Sequence, residues 1–522
     1  MPRGNGNGLM LFMKITDLLF DNANMYPEKT AVWCDGRRVT YRQFSAMVRQ
    51  YADFLTDNGV DYLDHIGFPM NNSIESAALI FAAALIGAAI APINPTMPAH
   101  AVITAFKACD VKHLIAGKVF FEHHAENGFD SGSFRIDGTL ICIDGEHEGT
   151  LSLSNAASLS PTREGMREAT GEEALILAMT SGPTREPKPI ILTQNNKYVR
   201  ATAHIEKYGI TKDDCVLAST PLYHSLAERL VIMPLLIGAT SIIMSRFTPH
   251  LWLDCVREHG VTFTIAVSAQ LSQIAELLSS PFIPDIDSLR CVVSSSALLE
   301  PHIKRALTDK LNCDFHEIYG TSEISTATDM DCKLVSGKQS VGRPLNNVDI
   351  RILDDAGNKL KAGEIGEIAC RTPLICDGYY NMPHLFKNMI CDGYFKTGDL
   401  GFLDNDGYLY FSGHKKEIII TGGINVYPID VETCVSDMPE VRECAIFPYP
   451  DDRFGELVAV AVVPLNGSKL TRRMIQIQCA LNLADFQQPQ KIFFVNKLPR
   501  NETGKFVKSK LLEYVETYCS EG

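Results

Sequence analysis

No Walker A loop of the form GxxxxGK[ST] occurs in this 522-residue chain, nor does a GxGxxG, GxSxG or HExxH motif. The usual nucleotide and hydrolase signatures therefore point nowhere. The fifteen cysteines contain no CxxC pair, so neither a zinc site nor a disulfide framework is suggested, and reduced thiols in a cytoplasmic compartment fit best. Positive charge is in short supply too. Against 62 acidic side chains stand 48 basic ones, a formal charge of −14, which repels nucleic acid and anionic membranes and sets a nucleic-acid role aside. Internal repeats and low-complexity blocks are absent. The opening MPRGNGNGLMLFMK has too short an apolar region for a secretory signal, and residues 1–13 are read as a flexible lead.

What is there is the balance of a soluble globular enzyme, with 46% hydrophobic and 21% charged residues and a length that suggests several folding units. Ser76 to Ile93 runs 18 residues without a charge, long enough to suggest a membrane span. Its alanines, Gly87 and Pro92 read instead as a buried helix turning into a short strand. From Ile15 to beyond Thr240, helical stretches such as YRQFSAMVRQYADFL alternate with strand-like runs such as TAVWC, HIGFPM, PIILT and DCVLAST, an α/β layout with central parallel sheets. After Gly342 the hairpin punctuation tightens, as in VDIRILDDAGNKL and DNDGYLYFSG, and predicts a small β-barrel-like portion closing the large domain. A small α+β domain is expected over 416–522, after a large domain over 14–415.

One segment between two apolar strands, TSGPTREPKPI (Thr180 to Ile190), offers hydroxyls, a glycine and Lys188, the groups that grip phosphate oxygens. Alone it reads as a turn. Three further segments follow in order: EIYGTSE (Glu317 to Glu323), YFKTGDLGFLDNDGYLYFSGHKKEIIITGGINVYP (Tyr394 to Pro428) and LPRNETGKF (Leu498 to Phe506). Together the four resemble the acyl-adenylate-forming ligase superfamily of acyl-CoA synthetases, nonribosomal peptide adenylation domains and firefly-type luciferases, from about Ile15 to Leu512.

The resemblance implies a mobile C-terminal domain, a site in the crevice between domains, and activation of a carboxylic acid as acyl-AMP with pyrophosphate release. It places Thr180, Ser181, Gly182, Thr184 and Lys188 on the phosphates of ATP, and Ala297, Tyr319, Gly320 and Thr321 around the adenine side. Asp399 then accepts hydrogen bonds from the ribose hydroxyls, with His414 beside it. Glu323 holds Mg²⁺ against the phosphates. Lys505 stabilises the charge of the transfer as a catalytic residue, and Lys416 is the hinge. The acid pocket takes His224, Ser225, Glu228, Ala297 and Gly320. For at least one of Glu228 and its neighbour Arg229, a mutual ion pair or solvent exposure is the simple expectation, and a Glu228 that points inward would pair with an amine or hydroxyl on a polar substrate. Coenzyme A is the expected acceptor because Gly423 keeps the glycine turn beside the pantetheine path. An amine or a carrier protein remain alternative acceptors, and no fused carrier domain follows Lys510. A pseudoenzyme that binds an acyl ligand without turnover is the alternative of another class.

Departures from the family pattern concentrate in the phosphate loop, where Pro183 replaces a hydroxyl residue and Arg185 and Pro189 replace glycines. Proline removes N–H donors and stiffens the loop, and Arg185 returns a fork of donors. His414 stands for an arginine, Gln194 for a histidine, and Ser295 with Ser296 for glycines. Retention of Lys188, Glu323, Asp399 and Lys505 favours an active enzyme.

Overall fold

The computed structural model describes residues 14–126, 134, 136–158, 169–179, 187–279, 286–334, 340–421, 424–451, 453–500 and 510–518. Two large sheets, one of nine strands and one of seven, form its larger part. In the nine-stranded sheet the strands Thr240–Ile243, Cys215–Ala218, Phe263–Val267, Cys291–Ser295 and Asp314–Thr321 lie side by side in parallel. The central ones are buried on both faces, which is why FTIAV and CVLA read as apolar runs rather than alternating ones, whereas Asp314–Thr321 carries His316 and Glu317. Ser325–Asp331 then returns antiparallel beside the last of them.

The seven-stranded sheet is parallel from Leu151–Ser152 through to Ala174–Met179, and Pro189–Thr193 closes it antiparallel at the edge. An edge is where a strand tolerates proline, so Pro189 fits its place without a lost ladder bond inside the sheet. Between the two sheets lies the main core. It includes the helix Ile74–Ile86, where ten of the side chains from Ala77 to Ile86 are apolar and nearly all are fully buried. Its buried leucine, isoleucine and phenylalanine side chains contribute about 1.5–3 kcal/mol each, and its alanines less. Ser73 caps this helix, Gly87 ends it at φ +73°, and the strand Ala89–Ile93 follows. The charge-free stretch is thus the buried helix-to-strand unit that its glycine and proline indicate. Among the described residues no helix is long and apolar enough to cross a membrane.

A five-stranded antiparallel sheet over 349–414 follows. Its inner face shares a core with Tyr319, Ile324 and Ala327 of the nine-stranded sheet. The remaining portion is α+β. Its five-stranded sheet spans 419–494, built on the long hairpin Val441–Asp451 and Gly455–Pro464, with Lys491–Phe494 added in parallel and the helices Pro428–Ser436 and Arg472–Asn482 packed on it. All fourteen cysteines among the described residues are free thiols, and burial pushes Cys34 and Cys215 up to about 12.

Candidate active site

Parallel strands deliver their carboxyl ends to one edge, and loops leaving that edge form a crevice. Cys215–Ala218 leads to His224, which precedes the helix Ser225–Leu236. Cys291–Ser295 leads to Ser296 and Ala297, both exposed, and Asp314–Thr321 leads to Glu323. Four of the sequence-predicted positions therefore meet at one sheet edge because of topology alone. Burial lowers the His224 imidazole to about 4, keeping it neutral, and its Nε2 has no partner among the described residues. Ser268 Oγ donates to the carbonyls of Ala297 and, at 3.3 Å, Ser295. This brace holds Ser296 at φ +80°, a left-handed conformation that glycine adopts freely and serine does not. Gly320 has a different constraint, since a Cβ there would lie 1.7 Å from the Ser325 carbonyl oxygen. Only glycine fits that approach.

Asp399 lies in the strand Tyr394–Leu403, directly opposite His414 on the neighbouring strand Leu409–His414. Its buried carboxylate receives the Tyr319 hydroxyl on Oδ2 at 2.7 Å and contacts His414 Nδ1 through Oδ1 at 2.6 Å. Thr397 Oγ1 accepts from the Asp399 amide at 3.1 Å and fixes the turn of its backbone. Burial, followed by the adjacent carboxylate, pushes the Tyr319 phenol far up, so it stays a donor. A carboxylate accepts up to about four hydrogen bonds, so two protein donors leave Asp399 capacity for a diol.

Glu323, half-buried, accepts the Tyr379 hydroxyl on Oε1 at 2.7 Å. Its backbone carbonyl is gripped by Arg200 Nη2 at 2.8 Å and by the Cys376 amide at 2.8 Å. Among the described residues no group of three His, Cys, Asp or Glu is arranged to hold a metal ion. Mg²⁺ usually takes one or two carboxylates and completes its shell with phosphate oxygens and water. Glu323 fits as such a carboxylate.

Behind this edge the helix Gln194–Tyr208 carries a polar stripe, Gln194, Lys197, Arg200, His204 and Tyr208, all buried. Gln194 is spent on structure, donating to the Ala84 carbonyl at 2.8 Å and accepting from the Ile15 amide at 3.2 Å. Lys197 pairs with Glu228, and both are almost wholly buried. Arg229 turns elsewhere, to His204 Nε2 at 3.1 Å and Ser325 Oγ at 2.8 Å. The expected Glu228–Arg229 pair or exposed charge is therefore corrected. Consecutive helical residues point about 100° apart, so the two cannot face each other, and both find partners on other elements. Burial lowers Arg200 to about 9 and Arg229 to about 10, and pushes Lys197 and His204 well down.

The sequence reading missed Lys197, Arg200, His204 and Tyr379. A signal existed for the first three: charged residues at spacings of three and four, in a helix whose core face should be apolar. Thr180, Ser181, Gly182, Thr184, Gly423 and Lys505 lie outside the described residues, as do Pro183 and Arg185. Lys188 immediately precedes the edge strand Pro189–Thr193. Thr321 Oγ1 is buried without a partner among the described residues. Lys416 is exposed on a short 3-10 turn, beside Lys415, which binds Asp355 at 2.9 Å and Glu367 at 3.0 Å.

Known proteins resemble this arrangement over its whole length. A family model described as AMP-binding enzyme matches residues 19–380, and one described as AMP-binding enzyme C-terminal domain matches 430–505. Indoleacetate–CoA ligase of Aromatoleum aromaticum is 29% identical, covering 96% of this chain and 98% of that protein. ATP-bound MatB from Rhodopseudomonas palustris superposes with a TM-score of 0.86 at 26% identity, covering 96% of this chain and 99% of the other. Amide bond synthetase McbA from Marinactinospora thermotolerans gives 0.84 at 26% identity, with 96% and 99% covered.

Proposed function

This chain belongs to the AMP-binding enzyme family, and we propose that it activates a carboxylic acid as its acyl-adenylate and then transfers the acyl group to coenzyme A. The observation that carries the reading is the Tyr319 hydroxyl on Asp399. It joins a buried ribose-type carboxylate to the very strand whose end presents Glu323, four residues on. In the first step an oxygen of the acid attacks the α-phosphorus and the bond to the β,γ unit breaks, releasing pyrophosphate. Attack of the coenzyme A thiolate on the acyl carbonyl then expels AMP.

In this reading Asp399 accepts the ribose hydroxyls, Tyr319 packs on adenine beside Ala297, Gly320 and Thr321, and His414 lies near the ribose. Thr180, Ser181, Gly182, Thr184 and Lys188 hold the phosphates. Glu323 would hold Mg²⁺, which neutralises phosphate charge, while Tyr379 and Arg200 keep that carboxylate oriented. Lys505, carried on a C-terminal domain over 416–522 that turns about Lys416, offsets the charge developing at phosphorus. The acid enters past His224 and Ser225, and the thiol comes by way of Gly423.

The relative from Aromatoleum aromaticum, named as a CoA ligase, supports the thiol as acceptor. Likeness to McbA, whose name describes amide bond synthesis, supports an amine as the second reading. The purified protein with Mg²⁺ and ATP is expected to catalyse acid-dependent ATP–pyrophosphate exchange. Absence of exchange over a broad acid panel, together with no ATP binding by calorimetry, would favour the pseudoenzyme. Adding coenzyme A, a carrier protein or amines and identifying the product by mass separates the acceptors.

A further inference from the structure

Ser225, at the crevice, and Glu228 are separated by three residues of one helix. Glu228 therefore lies about one turn, roughly 5 Å, further along this helix, and in the acid-pocket reading that turn lines the pocket. Beyond it the same helix runs into wholly buried apolar residues, Leu230 to Leu236, packed in the main core. Charge thus stands one turn from Ser225, with packed core beyond it. Lys197 Nζ bridges the two levels, reaching Ser225 Oγ at 3.5 Å and pairing with Glu228 Oε1. Glu228 Oε2 is buried and has no partner among the described residues. An ionised carboxylate is acceptor-only, so this oxygen calls for a donor. An ammonium has three N–H bonds and no acceptor, and with Glu228 and Ser225 each taking one, Lys197 keeps one for a further acceptor at the same place.

Charge decides which ligand group answers both. An ammonium on the substrate would enter a region that already holds Lys197, Arg200 and Arg229 with Glu228 as the one fully buried anion of the cluster. A second carboxylate would meet Glu228 with no proton to give to Oε2. A hydroxyl is neutral, donates once and accepts twice. Resting on the acid-activating reading above, we infer that the substrate is a short hydroxy acid whose hydroxyl, remote from the carboxylate, donates to Glu228 Oε2 and accepts from Lys197. These two residues determine specificity. A site built to hydrogen-bond a hydroxyl discriminates strongly against the analogue that lacks it, because its buried polar groups are then left unpaired.

The test is ATP–pyrophosphate exchange by the full-length protein on matched acids: omega-hydroxyvalerate, valerate, omega-aminovalerate and glutarate, with para-hydroxyphenylacetate and phenylacetate as the ring counterparts. In at least one frame the hydroxy acid is expected to exceed its parent by about 100-fold or more in kcat/KM, and to exceed the amino and dicarboxylic forms. The double variant Lys197→Met, Glu228→Leu conserves volume and removes both charges, and is expected to reverse the order in favour of the parent acid. Urea unfolding of the double variant checks that it folds. Exchange with parent acids equal to or above the hydroxy acids overturns the hydroxyl inference while leaving acid activation standing. A hydroxyl preference that survives in the folded double variant also overturns it. No exchange with any acid overturns both.

Discussion

His224 illustrates how a single residue's burial becomes a property of the molecule. Its imidazole is lowered from 6.5 to about 4 by desolvation, so between those values the unfolded chain binds a proton that the folded chain refuses. Stability then rises with pH across that window and is lost on acidification from about pH 6.5 toward 4. The displacement corresponds to about 3 kcal/mol, at about 1.4 kcal/mol for each tenfold in proton affinity. Buried His204, pushed down in the same direction, adds to the slope. Urea midpoints measured between pH 7.5 and 4.5 are expected to fall for the native protein and to fall less steeply for His224→Asn. Equal slopes would mean that His224 is solvated and not held neutral at the pocket mouth. The serine at 296 tells a related story: the loop keeps the left-handed turn that glycine would give it, with the Ser268 brace holding a residue that does not favour it.

Among elements, hydrophobic periodicity made most of the fold legible. TAVWC, PIILT and DCVLAST are the strands Thr30–Cys34, Pro189–Thr193 and Cys215–Ala218, and VIMPLLIGATSIIM runs from the helix ending at Leu236 through Gly238 to the strand Thr240–Ile243. Asp399 and Glu323 stood out because short motifs carry them. The polar wall did not. Lys197 meets Glu228 across 31 residues and Arg200 meets the Glu323 carbonyl across 123, pairings set by how helices pack on the sheet and invisible to local pattern. Arg200 shows what such a contact does between elements. Its guanidinium joins the helix Gln194–Tyr208 to the carbonyls of Leu374 and Glu323, each at 2.8 Å. Arg200→Met removes both donors; the Leu374 carbonyl is left unpaired, at about 1–3 kcal/mol, while the Glu323 carbonyl keeps the Cys376 amide, and release of a desolvated cation offsets part of the loss. A net destabilisation of about 1–3 kcal/mol is expected in urea unfolding, with a loss in exchange rate in the folded fraction because Glu323 loses one of the two donors that anchor its backbone. Full exchange activity in a folded Arg200→Met protein would show that the clamp does not position Glu323.

At the scale of the whole molecule, two half-reactions with different demands share one crevice, and the proposed rotation about Lys416 separates them. Adenylation gathers negative charge around phosphorus, so a lysine brought to that point lowers its barrier. Thioester formation needs a positioned thiolate and a good leaving group, and AMP is already one. Lys415 is tied to Asp355 and Glu367, while exposed Lys416 has no ion pair among the described residues, so the fixed point of the larger portion ends one residue before the proposed hinge. If the C-terminal portion brings Lys505 in for the first step alone, Lys505→Ala is expected to slow acyl-adenylate formation by about a hundredfold or more. Thioester formation from preformed acyl-adenylate should proceed at close to the native rate. The two steps are read separately by pyrophosphate release in a single turnover and by mass detection of acyl-CoA from synthetic acyl-AMP. Equal loss in both would mean that the substitution disturbs the fold or that the lysine serves both chemistries. No loss in either would make Lys505 a solvated surface charge and remove the reason for a rotation about Lys416.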